Sequence, residues 1–255
     1  MKSITGYLRR KRLEAKLEKP PVVYRQKVEG IEILFAVHNW VEYHNRARDS
    51  YTGEPDMVAW IKENLRAGDV LWDVGANVGA YTLFAAKLVL SAQIVAFEPC
   101  IPTYAHLWDN IVLNGCTDRI VPLCAALSDS THVDALGISD PRAGSSEHVL
   151  GGKNFGLKQP SLALTGEDAV KLFGVRPPDL VKIDVDGYEC TVLAGMKHII
   201  TTGSVRTMIV EVQRHKTEEP VTELLSSSGF DRVDRKSLDG SADVFNAVFV
   251  RRGKC

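Results

Sequence analysis

Short apolar runs recur along this chain, each followed by a turn and then by a segment with helical spacing. Strands are predicted at 70–74, 93–97, 119–125, 180–185 and 207–212. Helices are predicted at 79–90, 102–113, 166–173, 189–200 and 218–228. Strands alternating in this way with helices make a parallel sheet covered on both faces. The rhythm changes near the end. Residues 230–235 and 243–251 read as two strands joined by the turn Leu238-Asp239-Gly240-Ser241, an antiparallel C-terminal hairpin. Together these elements predict an α/β fold with a mostly parallel seven-stranded sheet.

Upstream, residues 54–65 are helical. Pro55 suits a first-turn position, and Met57, Val58, Ile61 and Leu65 mark one apolar face. Residues 24–35 alternate loosely and are expected to form a hairpin capping the core. Residues 1–20 hold seven Lys/Arg against two Glu, then meet Pro20-Pro21. Leu8 to Leu17 suits a short basic helix. It reads either as a solvated terminal helix or as a face for peripheral docking to an anionic membrane or a partner. The expected division is an N-terminal extension over 1–48 and one folded domain over 49–255. Residues 128–163, rich in Gly, Ser and Pro, break the rhythm. A small hairpin and a mobile flap near a pocket are expected there.

Composition narrows the class only a little. The 255 residues are 45% hydrophobic and 25% charged, with a net charge of −1. That balance supplies a core but no basic field for nucleic acid. The five cysteines are scattered with no CxxC pair, which suggests neither a zinc knuckle nor a disulfide framework. No apolar run is long enough to span a bilayer, and the N-terminus lacks a signal-peptide core, so a cytoplasmic location is expected. Oligomeric state is not legible.

The chemistry concentrates at strand ends. Asp73-x-Gly75-x-Asn77-x-Gly79 follows the first core strand and opens a helix. Gly75 permits close backbone approach, Gly79 permits close helix packing, and the amides of this turn and of the helix N-terminus are expected to receive a cofactor carboxylate. Glu98, at the end of the next strand, suits the hydroxyls of a ribose. Asn77 stands where the dinucleotide fingerprint has its second glycine, which argues against a nicotinamide cofactor. Asp184 and Asp186 reach the carboxyl end of the strand beside the first. Glu211 and His215 end the fifth strand. Asp184, Glu211 and His215 are the candidate proton acceptors, in that order, although a lone loop histidine such as His215 or His38 is commonly just solvated. Glu189 suits the first turn of a helix. The carboxylates suggest Mg²⁺ without a diagnostic spacing, and no metal site is assigned.

These segments resemble the FkbM family of S-adenosylmethionine (SAM)-dependent methyltransferases. The pieces are Gly53-Glu54-Pro55, Asp73 to Gly79, Phe97-Glu98-Pro99, Asn110, Asn114 and Ala126-Leu127-Ser128-Asp129. They continue through Lys182 to Glu189, Leu193-Ala194-Gly195 and Glu211, so the resemblance covers about residues 50–250. Asp186 departs from the family, which more often has Glu. The resemblance implies a Rossmann-like class I methyltransferase fold with SAM as cofactor. It implies O-methylation of a hydroxyl on a small molecule, sugar or lipid-linked glycan. By the same resemblance Asp73, Gly75, Asn77 and Gly79 hold the methionine part, Glu98 the ribose, and the turn containing Leu127 and Ser128 the adenine. The alternatives are a non-catalytic SAM-binding or scaffold protein and a nicotinamide-dependent oxidoreductase.

Overall fold

The computed structural model describes residues 21–152, 154–233 and 243–253. The basic segment 8–17 and the turn 238–241 lie outside them. Strands β1 (Val22–Val28) and β2 (Ile31–Val37) form the expected hairpin. Helix α1 (Glu42–Arg48) is wound as a π-helix, and α2 (Ser50–Gly53) and α3 (Pro55–Asn64) lead to β3 (Val70–Val74). The chain continues through α4 (Ala80–Leu88), β4 (Gln93–Phe97), α5 (Ile101–Leu113) and β5 (Ile120–Leu123). Next come β6 (Ala126–Leu127), β7 (His132–Ile138), β8 (Val149–Leu150), β9 (Leu157–Leu164) and α6 (Gly166–Phe173). The last elements are β10 (Leu180–Ile183), α7 (Glu189–Gly195), α8 (Lys197–Thr202), β11 (Thr207–Gln213), α9 (Glu218–Ser227), β12 (Phe230–Arg232) and β13 (Val244–Arg251).

The main sheet has seven strands in the order β12-β13-β11-β10-β3-β4-β5. Only β13 runs against the rest, between β12 and β11. This is the α/β fold and closing hairpin read from the sequence. Both faces are covered because successive side chains of each strand enter different cores. On β3, Val70, Trp72 and Val74 join one apolar cluster, and Leu71 joins the other. The N-terminal hairpin shares that second cluster through Ile33 and Phe35. Asn110 fastens it: the Ala36 amide donates to Asn110 Oδ1 (2.8 Å), and Asn110 Nδ2 donates to the Val78 carbonyl (2.9 Å).

Two expectations are corrected. Residues 128–163 go beyond the expected small hairpin: β7, β8 and β9 join β6 in a second, four-stranded sheet. The proline in β9 disguised it. There β6 covers only Ala163 and Leu164, so at Pro160 the strand has an open edge where a missing N–H is tolerated. The helix predicted over 189–200 is broken at Met196 into α7 and α8. Gly195 packs so closely on the Ser128 carbonyl that a Cβ would stand 1.7 Å from its oxygen.

One polar pair lies inside the sheet. Lys182 on β10 is the register partner of Asp73 on β3, and both side chains point to the same face. Their side chains are 3% and 1% exposed, with Lys182 Nζ 3.0 Å from Asp73 Oδ1. Removing the Lys182 charge leaves the Asp73 carboxylate buried without its cation, which costs about 3–5 kcal/mol. Lys182→Met is therefore expected to lose about that much stability in urea unfolding. The double variant Lys182→Met/Asp73→Asn is expected to recover most of it. Equal losses in the single and double variants would contradict the pairing.

Candidate active site

Parallel strands end together, and the chain departs from β3 toward β4 on one side while β10 lies on the other. Ligands bind at such a switch point, outside the carboxyl ends of the strands. A cleft of about 720 Å³, its open mouth included, lies there. Its wall includes Gly75, Asn77, Glu98, Leu127 and Asp184 from among the residues singled out in the sequence. Asp186, also noted in the sequence, joins them.

The other candidates sit elsewhere. Asp73 lies beneath the cleft, bonded to Lys182 and accepting from Thr82 Oγ1. Gly79 caps α4, where a Cβ would come within 2.6 Å of Leu107 Cδ1, so it serves helix packing. Ser128 is buried behind the wall, its amide donating to the Leu164 carbonyl (2.8 Å) and its hydroxyl 3.4 Å from the Tyr188 hydroxyl. Glu211 stands one strand beyond Asp184, outside the wall. His215 is exposed on the loop after β11 and does not line the cleft. His38 is also outside it, stacked on His106 with ring centroids 4.0 Å apart.

Gly75 needs to be glycine for a reason internal to the sheet. Its φ is +80°, and a Cβ would stand 1.9 Å from the Asp184 carbonyl oxygen. The turn is otherwise fully bonded. The Gly75 and Ala76 amides donate to the Phe97 carbonyl, and the Gly79 amide to Ala76. The Asn77 amide donates to Glu98 Oε2 (2.9 Å), and the Val78 amide to Asn77 Oδ1 (2.9 Å). Each amide from Gly75 to Gly79 thus has an internal acceptor in this structure.

Glu98 is 5% exposed and faces the cleft at the end of β4. Burial pushes its carboxyl up to about 7, opposed by the amides of Cys100 and Asn77 that donate to it. Lys182 organises the neighbouring edge. Its ammonium donates to the Gly75 carbonyl (2.8 Å) and lies 3.4 Å from Asp184. Burial pulls Lys182 down, but Asp73 and Asp184 outweigh it and hold the ammonium above its usual range. Carboxylates outnumber it. Glu211 is pushed up to about 8 by burial and then by Asp184, Glu54 and Asp186. Burial and then Asp184 raise Glu54, which accepts from the Tyr81 hydroxyl (2.9 Å).

Several wall residues escaped the sequence reading. Residues 143–147 strap across the cleft, held by side chains that donate to or accept from their backbone. Asn39 Nδ2 donates to the Ala143 carbonyl (3.1 Å), Arg46 Nε to Gly144 (3.0 Å) and Asn77 Nδ2 to Ser145 (2.9 Å). The Glu147 amide donates to Asp186 Oδ2 (2.7 Å). The strap ends at His148, whose Nε2 is buried without a partner among the described residues. Ser139 Oγ donates to the Ser146 carbonyl (2.6 Å) and lies 3.4 Å from His148 Nδ1. That hydroxyl proton is committed, so the ring proton belongs on Nδ1 and Nε2 is a bare acceptor. Burial lowers the imidazole and keeps it neutral. Lys182 did leave a signal: a lysine within Leu180-Val181-Lys182-Ile183, a fully buried strand, demands a buried partner.

The model of the methyltransferase FkbM domain matches residues 73–238. The chain is 32% identical over 206 residues to hexuronic acid methyltransferase AglP of Haloferax volcanii, covering 79% of each protein. It is 32% identical over 219 residues to 31-O-demethyl-FK506 methyltransferase FkbM of Streptomyces tacrolimicus, covering 74% of this chain and 82% of that one. Among solved structures it resembles methyltransferase FkbM of Methylobacillus flagellatus at 10% identity. The TM-score is 0.53, over 78% of this chain and 59% of that one. It also resembles a SAM-dependent methyltransferase of Agrobacterium tumefaciens at 12% identity, with a TM-score of 0.51 over 93% of this chain and 72% of that one. The sequence matches carry the family and the structural likenesses carry the fold: the chain belongs to the FkbM methyltransferase family and is a SAM-dependent methyltransferase.

Proposed function

We propose that this enzyme methylates a hydroxyl of a small molecule, sugar or glycan. The observation that carries the reading is the buried carboxylate Glu98 facing a cleft at the switch point, with further carboxylates on the adjoining edge. The names of the two sequence relatives, one for a hexuronic acid and one for a 31-O-demethyl compound, favour a hydroxylated acceptor. The wall also suits a bound ligand. Ser145 Oγ and His148 Nε2 are buried in it without a partner among the described residues, and unmet buried polar atoms of this kind call for one.

When bound, SAM supplies a methyl group activated by its sulfonium. In this reading Glu98 accepts from the ribose hydroxyls, and Ala126 and Leu127 flank the adenine. Gly75 and Asn77 border the methionine part. Asp73 and Gly79 support that turn from below, and Ser128 supports Leu127 from behind. The protein's part in the chemistry is to align the acceptor oxygen and keep water out. An attacking alcohol must also lose its proton, and Asp184 is the proposed acceptor because it lines the cleft beside the Gly75 turn. Glu211, electrostatically joined to Asp184, adds negative charge behind it only above about pH 8. His215 takes no part.

The test of the reaction is incubation with methyl-labelled SAM and pools of hydroxylated metabolites and glycans, with products identified by mass spectrometry. Label in an ether methyl supports the reading, and label only on nitrogen or carbon overturns it. With the acceptor in hand, Asp184→Asn is expected to lower turnover roughly 10²–10⁴-fold, the span of a lost general base. Affinity for S-adenosylhomocysteine should stay within a few fold. Normal turnover would move the proton acceptor elsewhere.

The raised Glu211 carboxyl predicts a pH dependence. Below about 8 Glu211 is largely protonated and neutral, and above it the group adds a negative charge that favours a sulfonium. The affinity of SAM relative to uncharged-sulfur S-adenosylhomocysteine is therefore expected to rise with pH through that range. Glu211→Gln should remove the part of the rise near pH 8, leaving whatever Glu98 contributes near 7. Calorimetry from pH 6 to 9 reads it, and a flat ratio in the unaltered protein would remove Glu211 from the site's electrostatics.

A further inference from the structure

Arg46 is the one permanent cation among the residues that line the cleft. It projects from the π-helical α1, a geometry common at functional sites. Its Nε donates to the Gly144 carbonyl (3.0 Å), which orients the guanidinium. Its Nη atoms have no partner and it makes no ion pair among the described residues. Yet carboxylates surround it at longer range, since its charge lowers Glu54, Glu98 and Asp186 and also His148. A guanidinium held at one edge, with its other donors uncommitted inside a cleft, is set for a planar anion.

Two further observations point the same way. Ser145, next after the residue that orients Arg46, is 6% exposed, and its Oγ has no partner among the described residues. It lines the same cleft. In addition, the amides of the Gly75–Gly79 turn are all engaged, so an anion entering the cleft finds no free N–H there. His148 is neutral and offers a bare acceptor, not a donor, at Nε2. An entering carboxylate can therefore be met by the Arg46 guanidinium and the neighbouring Ser145 hydroxyl.

We propose that Arg46, together with the Ser145 hydroxyl, forms a carboxylate-binding subsite in this cleft. The proposal rests on the cofactor-site reading above. Two carboxylates share the required chemistry: the α-carboxylate of the cofactor's methionine part and a carboxylate on the methyl acceptor. Both present two coplanar oxygens to the fork of an arginine.

Calorimetry on the full chain separates the sources. The probes are S-adenosylhomocysteine, its decarboxylated analogue, and methyl β-D-glucuronoside added to the S-adenosylhomocysteine-saturated protein. The variants are Arg46→Met, which removes the charge, and Arg46→Lys, which keeps the charge and loses the fork. Thermal unfolding establishes that each is folded. If the subsite takes the cofactor, Arg46→Met weakens S-adenosylhomocysteine about tenfold or more and leaves the decarboxylated analogue within twofold. If it takes the acceptor, both nucleosides bind Arg46→Met normally, while the glucuronoside bound by the unaltered complex is weakened about tenfold or more. Arg46→Lys should fall between in either case. The proposal is overturned if Arg46→Met changes neither affinity, or if it weakens the decarboxylated analogue as much as S-adenosylhomocysteine. Failure of the unaltered protein to bind either nucleoside is a different result, and it overturns the cofactor-site reading itself.

Discussion

Lys182 and Asp73 face each other across β10 and β3, both almost fully buried, and the Asp73 charge is not tolerable there without Lys182. A buried pair of this kind is weak evidence for stability, because two apolar residues would pack the same space at less cost. Its value here lies in what else the ammonium reaches. Lys182 bonds the Gly75 carbonyl and stands beside Asp184, so one cation ties the turn after β3 to the carboxylate at the end of β10. Gly75 completes the contact from the other side by letting the Asp184 backbone approach it. The two halves of the switch point are thereby held in one arrangement.

The cleft above this anchor is roofed by the strap, and the same residues serve both. Asn77 belongs to the turn and holds Ser145. Asp186 follows Asp184 and holds Glu147. The N-terminal hairpin is joined in through Asn110, which bonds both β2 and the backbone of Val78. A negatively biased floor and a single guanidinium in the wall suit a methyl donor that carries both positive and negative groups.

Much of this was legible because parallel strands buried on both faces leave a strong signal. Five apolar runs located β3, β4, β5, β10 and β11, and the change of rhythm after α9 located the closing hairpin. Gly75, Asn77, Glu98, Leu127 and Asp184 could be placed at the cleft because strand ends are where such chemistry collects. What stayed hidden depends on contacts distant in sequence. Arg46 meets Gly144 across 98 residues, and Asn77 meets Ser145 across 68. Asp73 and Gly79 carried the right motif, but burial turned them toward packing and pairing. His215 looked suitable by residue type alone, and the loop after β11 leaves it in solvent.

The Lys182 anchor holds the Gly75 turn against Asp184, beyond whatever it does for stability. The direct measurement is S-adenosylhomocysteine binding by calorimetry to the double variant Lys182→Met/Asp73→Asn, at a temperature where circular dichroism shows it folded. With the pair replaced by uncharged groups, the Gly75 carbonyl and Asp184 lose their common partner. The account predicts a folded protein whose affinity falls roughly tenfold or more, as for a lost hydrogen bond to a charged group. A folded double variant that binds as tightly as the unaltered protein would contradict it.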